Sequence, residues 1–400
     1  MARVLGSGEY GAFVYAMTLA SLGAMLVIGG MDLIIVRELG SHFSAGAFKV
    51  SRLVAQWFAR KMAVRAAFVL TGLAVAWFLV PADAPWKSAF IVLGFAFPLM
   101  VSNTLWSVLL QAMRRAVWAQ ALTMALPQLI LLTAFGWLLW QGVRLGAEQA
   151  SIIQVGVLVT LFLIGGWLVL YQHGPIEMIN GGETESLPDW NAEAKRLLWF
   201  VLLGYGVAKV DLLLLGVWQP IEDVGRYNVA SRLAELTSIF LAASNQFMAP
   251  RIAATHRNGT REALQQMLAS SIRIVFLGTL LVAAVVVIAA PVVLPWYGQD
   301  FGRAFWPLVV LVAGQMVNVA LGPVGYFLAM VGKSEVMVRA YGLGLLINVG
   351  GSLALIPIWG ILGAAAANAF AMVAWNLAMY QWIRRNMGIN TSIFAKVTAN

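Results

Sequence analysis

Long apolar blocks alternate with short charged connectors along the whole chain. Most blocks reach the roughly 20 residues that a helix needs to cross the hydrocarbon core of a bilayer. They fall at residues 11–30, 62–80, 88–110, 116–140, 150–171, 196–218, 226–249, 270–294, 304–330, 337–358 and 361–383. None shows the two-residue alternation of a barrel strand, and a backbone group left unpaired in lipid costs several kcal/mol, so each block is expected to be helical. The predicted fold class is all-α, a polytopic membrane protein of about eleven transmembrane helices. Pro98 and Pro127 fall inside predicted spans; each removes a backbone hydrogen bond and bends its helix, as happens at a cavity or hinge. Residues 36–61 and 251–270 are basic and partly amphipathic, which predicts helices lying on an anionic inner leaflet.

The pattern repeats. Sliding the chain by 214 residues aligns Glu9-Tyr10-Gly11 with Asp223-Val224-Gly225, Phe13 with Tyr227, Ala16 with Ala230, Leu22 with Leu236 and Arg37 with Arg251. An offset of 217 brings Leu145-Gly146-Ala147 onto Leu362-Gly363-Ala364. This predicts two parallel bundles related by an axis along the membrane normal. The counterpart of the span at 196–218 would lie before Met1, so six spans per half are expected, with the first missing and Met1 a truncated or late start. The expected domains are an N-terminal bundle at residues 1–171, a cytoplasmic interlobe linker at 172–195 and a C-terminal bundle at 196–400. The linker is the one long polar connector, with Gly181, Gly182, Pro188 and five acidic residues.

Composition agrees with the blocks: 61% of the 400 residues are hydrophobic and 11% charged, where a soluble domain carries about a quarter charged residues. The net charge of +9 lies in the connectors and not in one stripe, so it is read as topology and no nucleic-acid partner is expected. Eighteen of the 26 lysines and arginines, among them Arg37, Arg60, Arg251 and Lys333, fall in one set of connectors. Arg3, Lys87, Arg144, Arg226 and Arg303 fall in the other, and Arg65, Lys209 and Arg232 within spans. Short cytoplasmic connectors hold the positive excess, which puts the C-terminus in the cytoplasm. With no cysteine there is no disulfide framework and no thiolate metal site. His42, His173 and His256 stand at no metal-ligand spacing; no metal and no cofactor is expected. The glycines at 6, 8 and 11 follow no strand, and Gly332-Lys333-Ser334 has Phe327 where a phosphate loop needs its first glycine. Asn390-Thr391-Ser392 fits a glycosylation pattern but falls on the cytoplasmic side.

The stretch ARVLGSGEYGAFVYAMTLASLGAMLVIGGMDLIIVRELG at residues 2–40 resembles the start of membrane polysaccharide flippases of the multidrug/oligosaccharidyl-lipid/polysaccharide exporter superfamily. Lys209-Val210-Asp211, the run Val224-Gly225 to Arg232-Leu233, Ala249-Pro250-Arg251 and the ending Gly360-Ile361-Leu362-Gly363-Ala364 are similar to that family as well. The resemblance covers essentially the whole chain and leaves the sugar undefined. It implies a bacterial inner-membrane transporter and not an enzyme. Its substrate would be a lipid-linked oligosaccharide, its surroundings membrane lipids, its coupling ion a proton or sodium, and its state monomeric.

Charges inside spans cost about 2.5 to 3.5 kcal/mol on insertion scales, so each calls for a partner or a task. Lys209 and Asp211 share one predicted helix; Arg232 and Glu235, three apart, share a face of the next. At the repeat-equivalent positions of Arg232 and Glu235 the first half has Thr18 and Ser21. In one reading Lys209 pairs with Glu235 and Asp211 with Arg232, joining two helices. In the other, Lys209 and Arg232 bind an anionic headgroup in a wet cleft while Asp211 and Glu235 take up the coupling ion. Arg65 is expected to snorkel to the interface, Asp32 to cap the segment that follows it, and the tryptophans near span ends to form an interfacial belt. Tyr205 and Tyr227 are candidates for stacking on sugar rings. The leading function is a flippase; a multidrug or cation exporter of the same superfamily and a membrane glycan polymerase are the alternatives.

Overall fold

Helices form at all eleven apolar blocks. The computed structural model describes residues 1–45, 48–79, 81, 84–113, 115–173, 190–258 and 260–395. Most of the expected linker, Lys396 and the side chains of Trp77 and of His42, His173 and His256 lie outside the described residues. In order the elements are α1 (Ala2–Ile28), α2 (Met31–Ala45), α3 (Phe48–Leu79), α4 (Lys87–Ala112), α5 (Ala116–Gln120), a π-helical turn (Ala121–Ala125) and α6 (Leu126–Trp140). There follow α7 (Ala147–His173), α8 (Trp190–Trp218), α9 (Ile221–Glu235), α10 (Ile239–Asn258), α11 (Arg261–Tyr297), α12 (Phe305–Leu321), α13 (Val324–Met330), α14 (Ser334–Trp359) and α15 (Ile361–Asn386). Among the described residues eight helices are long and apolar enough to cross a membrane, or nine when α4, bent by 47° between Gly94 and Ala96, is one span. The remaining blocks, 62–80 and 226–249, are helical within α3 and α9–α10, which carry more charge.

The chain divides into two compact units, Met1–Leu202 and Leu203–Asn400. Each is built around its first repeated helix. Gly6 (φ 80°, ψ 174°) interrupts α1, so its regular part starts at Ser7; Pro220 opens α9 and stands 214 residues after Gly6, the offset of the sequence repeat. Glu9 and Asp223 thus both fall in a first helical turn, where the macrodipole favours a carboxylate. Glu9 Oε2 accepts the Ala147 N–H at 2.6 Å, capping the start of α7, while Asp223 Oδ1 accepts from Arg226 at 2.6 Å. Ala12, Ala16 and Ala20 on α1, and Val224, Gly225, Ala230 and Ala234 on α9, are buried; such small side chains let neighbouring backbones approach. Phe68, Phe78, Leu163, Ile274, Leu281 and Ile288 on the outer helices are exposed, an apolar surface suited to lipid.

The α1–α2 corner is made by Gly29 (φ 45°) and Gly30 (φ 77°), a left-handed stop that only glycine adopts without strain. A Cβ on Gly30 would lie 2.5 Å from Leu197 Cβ, so the corner also admits α8. Arg65 does not simply snorkel: its Nη1 points at the carbonyls of Val27 and Ile28, 3.4 and 3.5 Å away, at the negative end of α1. The described apolar positions of the stretches expected on the leaflet pack against protein. Ile35, Leu39 and Phe58 join one core cluster; Ile252, Leu264 and Leu268 join another with Phe327 and Ile383, so these apolar stripes are covered by protein.

Beyond α15 the chain folds back onto the second unit. Arg261 donates to the Gly388 carbonyl, Gln265 exchanges two bonds with the Asn390 backbone at 2.8 and 2.7 Å, and Arg273 donates to the Ala395 carbonyl at 2.8 Å. Thr391 is fully buried, its hydroxyl donating to the Leu321 carbonyl at 2.8 Å. In the folded chain Thr391 of the Asn390-Thr391-Ser392 sequence is thus held in the interior.

Candidate functional site

The four charges singled out in the sequence gather where α8 and α9 of the second unit meet, though with unexpected partners. Asp211 is 2% exposed. Its Oδ2 accepts from the Tyr227 hydroxyl and from Asn368 Nδ2, the latter at 2.9 Å, while Oδ1 has no partner. Arg232 Nη1 donates to Glu235 Oε2 at 3.1 Å on their own helix, with the side chains 64% and 45% exposed. Lys209 is half-buried and feels Arg232, Glu235 and Asp211 as its neighbouring charges, but no described carboxylate comes within 4.0 Å of its ammonium. Neither cross-helix pair forms. Arg232 finds a carboxylate one turn away, and Asp211 turns into the core, where two neutral donors meet it. Tyr227, 1% exposed, spends its hydroxyl on Asp211 and offers no face to a sugar.

The first unit holds a cavity of about 640 Å³ between Met1, α1, the start of α2, α4, the π-helical turn with α6, α7 and Val201 of α8. Two devices read in the sequence shape it. Pro98 lies in the bent α4, and Pro127, on the cavity wall, follows the π-helical turn. Lacking an N–H, Pro127 leaves the carbonyl of Thr123, also on the wall, without its α-helical donor. Ser21, Asp32, Asn103, Thr104, Gln128 and Gln154 give the cavity its polar groups. Asn103 is 8% exposed; its Nδ2 donates to the Leu158 carbonyl at 3.0 Å, and its Oδ1 has no partner. Asp32, in the first turn of α2, engages the Leu33 backbone as a cap and reaches the cavity as well.

The repeat relates the two regions. Phe13, Met17 and Ser21 form the cavity-facing side of α1; 214 residues on stand Tyr227, Ser231 and Glu235. The face that is neutral in the first unit carries a carboxylate in the second. The sequence carries no charge at Asn103, Gln128 and Gln154, which the search for charged and aromatic candidates passes over, although amides inside predicted spans carry the same kind of signal.

Elsewhere Arg37 makes a two-pronged contact with Glu193 at 2.7 and 2.8 Å, joining α2 to the start of α8, and also meets Glu38 at 2.8 Å. Its hydrogen bonds to Glu193 raise the Arg37 pKa above the ordinary guanidinium value. Trp137, Trp140, Trp199, Trp218 and Trp296 are exposed, as a belt requires; Trp106 instead packs against Gly165. Among the described residues no three of His, Cys, Asp and Glu converge as metal ligands would.

No protein-family model matches the chain, and no curated protein matches its sequence. Solved structures do match its fold. An inward-facing multidrug resistance MATE family transporter of the MOP superfamily is 14% identical, with 97% of this chain and 92% of that one covered and a TM-score of 0.78. A MATE structure in the bent conformation is 13% identical, with 96% and 94% covered and a TM-score of 0.61. The lipid II flippase MurJ, inward closed, is 11% identical, with 94% and 86% covered and a TM-score of 0.56. The chain has the all-α, multi-pass fold of these transporters.

Proposed function

We propose that the chain is a secondary transporter that flips a polyprenyl-diphosphate-linked oligosaccharide from the inner to the outer leaflet of a bacterial cytoplasmic membrane, by alternating access of its two bundles. The observation that carries this reading is Lys209, a half-buried ammonium with no carboxylate in salt-bridge reach among the described residues, on the helix beside exposed Arg232. A cation held in an apolar bundle without a partner is costly, and a diphosphate supplies that partner. Arg232 presents a planar fork to phosphate oxygens, and Lys209 a point charge. The Arg232–Glu235 contact opens when phosphate arrives, and Glu235 and Asp211, whose Oδ1 is free, take up the coupling proton or sodium ion. The transporter works as a monomer with its C-terminus in the cytoplasm.

Replacing the chromosomal gene with Lys209→Ala or Arg232→Ala tests this. Lipid-linked repeat units should accumulate on the inner leaflet, and export should fall at least about tenfold, the loss of one charge-assisted contact of roughly 1.5–3 kcal/mol, with membrane levels of the protein unchanged. Normal export by both variants overturns the reading. A multidrug exporter is the second reading, favoured by the TM-score of 0.78 to a MATE transporter and by Asp32, a carboxylate on the cavity wall that would attract an organic cation. It expects Asp32→Asn to abolish ethidium efflux while export of lipid-linked sugar is untouched.

A further inference from the structure

The apolar block at residues 304–330 reads as one span, yet the chain breaks within it, ending α12 at Leu321 and starting α13 at Val324. Gly322 (φ 85°) turns the backbone aside and Pro323 has no N–H to give, so carbonyls at the end of α12 are stranded. In a bundle surrounded by lipid each must still find a donor. Two find one inside the turn: Val319 accepts the Gly322 N–H at 3.0 Å and Gly322 the Val324 N–H at 2.8 Å. The other two are served from beyond α15. The Ala320 carbonyl accepts the Ile393 N–H at 3.0 Å, and the Leu321 carbonyl accepts the Thr391 hydroxyl at 2.8 Å. We infer that residues 388–395 are a latch that holds the span broken at residues 322 and 323, and that engagement and release of this latch decide whether α13 stays docked in the second unit. The inference holds whatever the chain carries.

The latch fits the break from both sides. A Cβ on Gly322 would fall on the Thr391 carbonyl, so the glycine leaves room for the tail to lie against the break. Ile389 is 3% exposed and joins the core cluster that holds Val324, Phe327 and Leu328 of α13, which makes the tail one wall of that helix's seat. What keeps the tail there is mostly polar. Gln265 and Arg273 on α11 bind its backbone, Tyr380 on α15 donates to Asn390 Oδ1 at 3.2 Å, and the Ser392 hydroxyl closes a turn on the same oxygen at 2.8 Å. Phe394, its one aromatic residue, is 79% exposed. Hydrogen bonds are exchanged for bonds to water at small net cost, so a segment held this way opens more readily than the helices around it. On release Ala320 and Leu321 lose their donors and α13 loses Ile389 in the same event. Unlatching and undocking are thus one equilibrium.

The test labels a buried thiol on α13. The chain has no cysteine, so Val324→Cys, at a buried position, is the single target for N-ethylmaleimide in the full chain reconstituted in lipid nanodiscs. Leu328→Cys, fully buried, is a second reporter for the case that the first disturbs the fold. Labelling should be slow in the parent and rise about tenfold on adding Thr391→Val, which removes the donor to Leu321 with little change of shape. Thr391→Ser keeps the hydroxyl and should label as the parent does. Val224→Cys on α9, also fully buried, should label at one slow rate with or without Thr391→Val. Equal rates for Thr391→Val and Thr391→Ser overturn the inference. An equal rise at Val224→Cys overturns it as well, since the tail would then be a staple for the whole fold. So does labelling in the parent as fast as at the exposed Ser334→Cys, where the latch would already be open.

Discussion

A carboxylate sealed inside an apolar bundle needs donors, and Asp211 finds two on one oxygen, Tyr227 and Asn368, with the other left open. Tyr227→Phe removes one of them at a fully buried site and should lower stability by about 1–3 kcal/mol, read as the unfolding midpoint in detergent; an unchanged midpoint would mean the hydroxyl is not needed there. Arg37→Ala gives the contrast. Its guanidinium is 54% exposed, so losing the Glu193 contact should cost no more than about 1 kcal/mol in spite of the short distances. At this scale the sequence singled out the charges inside spans and only partly whom they meet. Arg232 and Glu235 meet because three residues separate them on a helix, a local rule. Asp211 and Asn368 lie 157 positions apart, and nothing local joins them. Asn103 and Gln154 went unnoticed because an amide does not stand out in an apolar run as a charge does.

Among elements, the length of the apolar blocks made the long helical stretches visible, and Pro98 and Pro127 marked two of those that deform. The interruption at Gly6 and the π-helical turn at Ala121–Ala125 were hidden, since each depends on how neighbours take up freed backbone groups. In the two amphipathic stretches, a stripe of apolar residues shows that a face will be covered but not whether lipid or protein covers it. Pro127→Ala restores an N–H after the π-helical turn; α5–α6 should straighten, with a raised melting temperature and reduced transport. A rise in both would contradict a role for the deformation. Gly363→Val tests the α14–α15 pair. Any Cβ at 363 falls on the Leu355 carbonyl, so the helices must separate, and a loss of about 1–3 kcal/mol is expected, again from detergent unfolding.

For the molecule as a whole, the uneven distribution of lysine and arginine makes an orientation testable, and the absence of cysteine makes the test clean. A single thiol at Gln141→Cys should react with a membrane-impermeant maleimide added outside intact spheroplasts, whereas one at Ser334→Cys should react only after the membrane is opened; the reverse pattern would invert the topology. The internal repeat was readable in the alignment of Glu9-Tyr10-Gly11 with Asp223-Val224-Gly225, and Gly6 and Pro220 hold corresponding places before their helices. The tail that folds back under α11 has a further consequence for biogenesis. Arg261, Gln265 and Arg273 leave the ribosome more than a hundred residues before the carbonyls they serve at Gly388, Asn390 and Ala395. The second unit is thus completed only after α15 has been inserted, and a nascent chain arrested short of that point would present three unsated polar side chains to the quality-control machinery of the cell.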